Sequence, residues 1–121
     1  MPALSFQKQF VAMIEDGSKW HTIRRKRKKN PIKVGDVLYL YTGMRTKLCW
    51  LVKEVVCASV VPVVIYPKLG RVVLDGKMLS LDDTLRFAVR DGFANQMDFF
   101  KFFERYPAEV LEREMEVIYW R

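Results

Sequence analysis

Residues 47–61 form one almost unbroken stretch of β-forming side chains, in which Val52, Val55, Val56, Val60 and Val61 follow Leu48, Trp50 and Leu51. No other feature limits the accessible folds as much. β-Branched and aromatic residues fit a pleated, half-buried surface. A strand must also find its backbone hydrogen bonds in neighbouring strands, so the chain has to build a sheet around this segment. The stretch is longer than an ordinary strand, which predicts a bend or bulge near Ala58-Ser59.

The rest of the chain supplies partners for that sheet. Residues 3–6 read as a short edge strand. Across residues 7–16, Phe10, Met13 and Ile14 fall at helical spacing, and Gly17 is placed to end the helix. Residues 18–26 turn into an extended segment, with Trp20, Thr22 and Arg24 on one side and His21, Ile23 and Arg25 on the other. Lys33-Val34-Gly35-Asp36 has the chemistry of a tight turn, residues 37–41 read as a strand, and residues 42–46 as a loop around Gly43. After a break at residues 66–70, Asp75-Gly76 between two apolar runs predicts a hairpin over residues 71–79.

Residues 81–90 predict a helix with Ser80 or Asp82 as N-cap. Asp91-Gly92-Phe93 is a corner, and Asn95 caps a second helix over residues 96–105. Its stripe of Phe99, Phe102, Phe103 and Tyr106 reads as core packing. Pro107 stops that helix, and residues 115–120 form a last strand. Many strands with clustered helices mean α+β, in one domain spanning residues 1–121.

Composition narrows the function. Half of the 121 residues are hydrophobic, enough for a core. The 21 Lys and Arg outnumber the 14 Asp and Glu, for a net charge of +7, which favours a polyanionic partner. Cys49 and Cys57 come without a CxxC pair or a cluster of histidines, so neither a metal site nor a cofactor is expected. Both cysteines read as small buried core residues of a reducing compartment. There is no basic region followed by an apolar run at the start. The longest apolar stretch, residues 55–66, is too short for a bilayer and is interrupted by Ser59 and Pro62. The expectation is a cytoplasmic monomer without a membrane partner.

Two features carry chemistry. In Gly17-Ser18-Lys19-Trp20-His21-Thr22-Ile23-Arg24, a glycine ends a helix, and Thr22 and Arg24 share a face of the strand that follows. Lys19 sits at the turn and can fold back over Thr22, where a burial-neutralised amine would activate a hydroxyl. From spacing alone these remain ordinary solvated residues. His21, the one histidine, alternates away from Thr22 and reads as structural.

The same residues resemble the hallmark of the ASCH family, which has a PUA-like β-barrel with helices packed at its ends. In that hallmark a helix ends in Gly-x-Lys, and a Thr or Glu followed by x-Arg begins the next strand; Gly17, Lys19, Thr22 and Arg24 match it. Lys33-Val34-Gly35-Asp36-Val37-Leu38 resembles the family's Gly-Asp turn, and Asp91-Gly92-Phe93 its corner before the second helix. One branch of the family hydrolyses N4-acetylcytidine with a Thr nucleophile, an activating Lys and a Glu acid. The resemblance implies Thr22 as nucleophile and Lys19 as activator, with Asp91 standing where the branch has Glu. An Asp reaches about 1.5 Å less far, which bears directly on proton transfer.

The second feature is the run Arg24, Arg25, Lys26, Arg27, Lys28 and Lys29 beside that motif. Adjacent cations repel one another, and a phosphate backbone relieves the repulsion. Trp20, Tyr39, Tyr41 and Trp50 are available in neighbouring elements to stack on an unpaired base. The leading expectation is an ASCH-type module binding RNA or a modified nucleoside in a pocket of Lys19, Thr22, Arg24 and Asp91, with the basic run as ligand-binding surface. The alternatives are an amidohydrolase using Thr22, Lys19 and Asp91 on N4-acetylcytidine, and a ribonuclease.

Overall fold

The computed structural model describes residues 2–121. Strand β1 (Ala3–Phe6) leads through a single tight 3-10 turn, Lys8–Phe10, into the short helix α1 (Val11–Asp16). Gly17, at φ +84°, ends α1 in the left-handed conformation that glycine adopts without steric cost. The chain then enters β2 (His21–Arg25), crosses the basic loop to β3 (Val37–Thr42), and loops again to β4 (Trp50–Val56).

The predicted bend falls at Cys57-Ala58, where the long β-forming stretch divides. Its first half is β4 and its second begins β5 (Ser59–Tyr66), which belongs to a different sheet. Cys57 is buried, but Cys49 lies exposed in the loop before β4, not in the core as expected. The hairpin β6 (Arg71–Leu74) and β7 (Lys77–Met78) follows. Asp75 and Gly76 both have positive φ, +50° and +82°, as its tight turn requires. Helix α2 (Leu81–Arg90) starts where Ser80 Oγ accepts from the Asp83 N–H, and α3 (Gln96–Phe103) where Asn95 Oδ1 accepts from the Asp98 N–H. A further helix, α4 (Ala108–Arg113), follows Pro107 where the sequence predicts none; β8 (Met115–Tyr119) closes the chain.

The strands form two sheets. One has the order β1-β3-β4, with β1 parallel to β3; the other, β2-β8-β5-β6-β7, is antiparallel throughout. The fold is therefore α+β, but the two hydrogen-bond ladders do not join into the closed barrel that the resemblance implies. One core serves both sheets and the helices. Leu4, Leu38 and Leu40 from the first sheet meet Val63, Ile65 and Ile118 from the second and Phe87, Phe99 and Phe103 from the helices. At ~25 cal/mol per Å² of apolar surface removed from water, such rings and branched side chains are the main stabilising contribution.

β1 and β2 are facing edges of different sheets, and arginine side chains tie them together. Arg24 Nη2 donates to Ser5 O at 2.5 Å, and Arg27 Nη2 to Ala3 O at 2.9 Å. No helix of the described residues is long and apolar enough to cross a membrane.

Candidate functional site

Two glycine-ended helices build the site. After Gly17, the Lys19 N–H donates to Met13 O at 2.9 Å, which folds the chain back under α1. The Lys19 side chain then runs inward between aromatic rings, its Nζ 5.0 Å from the Phe10 centroid and 5.9 Å from that of Phe6. At the end of α2, the Gly92 N–H donates to Val89 O and the Phe93 N–H to Ala88 O. This paired closure satisfies the last carbonyls of the helix. It leaves Asp91 pointing back into the interior, where it is only 4% exposed.

Lys19 Nζ meets Asp91 twice, at 2.9 Å to Oδ1 and 2.6 Å to the backbone carbonyl. Both side chains are almost wholly buried. Burial pushes the Lys19 amine below and the Asp91 carboxyl above its ordinary pKa, while the ion pair opposes both shifts.

Thr22 and Arg24 come from alternate positions of β2. Thr22 is buried, and its Oγ1 accepts from Arg24 Nε at 3.2 Å, which leaves the hydroxyl proton available to a ligand. The Arg24 guanidinium lies 4.6 Å from the Phe6 ring centroid. Lys19, Thr22, Arg24 and Asp91 all open on one cavity of about 210 Å³, together with Phe10 and Tyr106. The hydrogen bonds of Lys19 Nζ go to Asp91 and not to Thr22.

His21 sits on the other face of β2, as alternation implied, yet it is not remote from the site. Its ring stacks on Phe87, centroids 5.1 Å apart and planes within 9°, and its Nε2 approaches Asp91 Oδ1 to 3.5 Å. Neither ring nitrogen has a hydrogen-bond partner. Burial, with the nearby charges of Lys19 and Arg90, lowers its pKa to about 3, so it is neutral at physiological pH. Sequence reasoning passes it over because alternation says which face a side chain takes, not what packs behind that face.

The basic run divides into two kinds of residue. Arg24 and Arg27 hold the seam, and Arg25 pairs with Glu114 through Nη2 at 2.9 Å. Lys26, Lys28 and Lys29 are exposed, and their side chains make no hydrogen bond or ion pair among the described residues. Trp20, Tyr39, Tyr41 and Trp50 do not line the cavity; its aromatic wall is Phe6, Phe10, Phe93, Phe102, Phe103 and Tyr106. Phe102, Phe103 and Tyr106 belong to the stripe read as core, of which Phe103 is fully buried and the other two half-buried. Among the described residues no cluster of His, Cys, Asp and Glu is disposed to hold a metal.

Set against protein-family models, curated proteins and solved structures, the chain finds no match in any of the three.

Proposed function

We propose that this chain is an ASCH-type, PUA-like module that binds a single base of RNA, or a modified nucleoside, in the Lys19–Asp91 cavity. The observation that carries this reading is the convergence of Lys19, Thr22, Arg24 and Asp91 on one aromatic-walled cavity. Its volume of about 210 Å³ is below the ~300–1,000 Å³ of drug-sized pockets, a scale that suits one base. Aromatic rings stack on a base, and the amine, hydroxyl and carboxylate read its polar edge. In a PUA-like scaffold the barrel would be left open at the β1/β2 seam, beside the exposed lysines of the basic loop.

A second reading, the amidohydrolase, is favoured by the Thr22 hydroxyl and Lys19 amine opening on the same space. Against it stands the engagement of Asp91 with Lys19, which makes the carboxylate a counter-ion instead of a free acid.

Titration with N4-acetylcytidine, with acetate release followed in the same samples, separates the two. Binding without turnover is expected, weakened by at least about tenfold in Lys19→Met, which removes one charge-assisted hydrogen-bond donor. If acetate is released, and Thr22→Ala and Lys19→Met each abolish release as fully as the double variant, the hydrolase reading replaces this one. Asp91→Glu would then keep or raise the rate by restoring reach.

A further inference from the structure

Behind the arginine ties of the β1/β2 seam lies a second cavity, of about 370 Å³. It adjoins the Lys19 cavity, since Ser5, Arg24 and Tyr106 line both. Its apolar walls include Ile32, Met44 and Ile118. One carboxylate stands among them. Glu116 is only 8% exposed; it makes no side-chain hydrogen bond or ion pair among the described residues, and the positive charge of Lys26 acts on it from a distance.

The carboxylate of Glu116 is not sealed from solvent; its oxygens open on the cavity, where an acceptor that no protein donor occupies is available to a ligand. The strand register explains its position. Arg24 of β2 pairs with Glu116 of β8, and Thr22 with Ile118. Side chains of paired and alternate residues share a face, so the acceptor sits one strand over from the cavity already described. At the mouth, Arg27 spends only one Nη2 hydrogen bond on Ala3 O, and Arg24 uses Nε and Nη2. A guanidinium has five N–H donors, so both retain donors for an anion.

We infer that the seam cavity takes the base of a second, adjacent nucleotide of single-stranded RNA, one whose exocyclic amine donates to Glu116 while the linking phosphate sits at Arg24 and Arg27. Apolar walls accept the ring, a carboxylate is the acceptor complementary to an amino group such as cytosine N4, and guanidinium–phosphate pairs are among the stronger hydrogen-bonded contacts. The inference rests on the reading of the Lys19 cavity as a base pocket. It adds that the ligand is an oligonucleotide rather than a free nucleoside.

Isothermal titration with cytidine, its 3′- and 5′-monophosphates, the dinucleotide CpC, and uridine with UpU tests it. CpC is expected to bind at least about tenfold more tightly than either monophosphate. The gain of UpU over uridine should be clearly smaller than that of CpC over cytidine, because uracil has no exocyclic amine. Glu116→Met, which keeps an apolar side chain of similar length, should bring CpC down to the monophosphate level; Glu116→Gln, which keeps an acceptor, should retain part of the advantage. If cytidine binds but CpC gains nothing over the monophosphates, or UpU gains as much over uridine, the second site is refuted and the first stands. If cytidine does not bind at all, both fall together.

Discussion

At the scale of single residues the site is a buried electrostatic arrangement of Lys19, Asp91 and His21. His21 offers the cleanest reading of it, because it is neutral, fully buried and of low pKa. An unfolded histidine takes up its proton near pH 6.5, whereas the folded one does so only near 3. The unfolded state therefore binds more protons between those values. The stabilising effect is complete above pH 6.5, declines as the pH falls, and is gone below about 3. Between pH 7 and pH 5 this group should cost the wild type on the order of 2 kcal/mol of stability. Urea denaturation of wild type and His21→Phe at both pH values checks this, and the variant should lose that part of the pH dependence. A parallel loss in both proteins would mean that His21 is not the group responsible.

Spacing alone made Gly17, Lys19, Thr22 and Arg24 ordinary solvated residues, and it was the resemblance that singled them out. The structure corrects the solvated reading, since Lys19 and Thr22 are buried. Asp91 was no more legible from the chain alone. It is 72 residues from Lys19, and only the resemblance singled it out. Glu116 gave no sign at all, since nothing in an alternating strand marks a polar residue as facing a cavity.

At the scale of elements, the corner Asp91-Gly92-Phe93 holds the carboxylate in place. Gly92 has φ +104°, and a Cβ there would stand 2.6 Å from Cδ1 of the buried Phe10 ring. Both backbone strain and overpacking therefore oppose a side chain. Gly92→Ala should cost about 2–4 kcal/mol in a denaturant melt and weaken nucleoside binding, because Phe10 and Asp91 line the same cavity. A variant as stable as wild type would show that the corner can relax. Turn chemistry made this element readable, as it did the Asp75-Gly76 hairpin and the caps Ser80 and Asn95. Helix α4 escaped notice because its six residues fill the space between a helix-stopping proline and a strand, too short for a periodic signal. The β4/β5 division was visible only as a bend. That its halves serve different sheets depends on strand pairing across the whole chain, which composition does not encode.

At the scale of the whole molecule, a net charge of +7 is unevenly committed. Three arginines of the basic run are held by Ser5, Ala3 and Glu114, while the exposed side chains of Lys26, Lys28 and Lys29 make no hydrogen bond or ion pair among the described residues, although the charge of Lys26 acts on Glu116. Replacing those three lysines with Ser should weaken RNA binding. It should also reduce the slope of log affinity against log salt by about one unit for each phosphate no longer neutralised. Filter binding across a salt series checks this; an unchanged slope would make the lysines plain solvated surface. Stability should be nearly untouched, in contrast to substitutions at Arg24, whose guanidinium ties β2 to β1 and packs on Phe6.

The central claim is that a base enters the cavity lined by Lys19, Thr22, Arg24 and Asp91. Its most direct test is a titration of ¹⁵N-labelled protein with N4-acetylcytidine, followed by two-dimensional amide spectra. The largest shifts are expected at Ser18, Lys19, Thr22, Arg24, Asp91 and Gly92, where the two helix ends and β2 frame the cavity. Lys19→Met should reduce these shifts at equal ligand concentration. Saturable shifts confined to another face of the molecule, with these amides unmoved, would contradict the account.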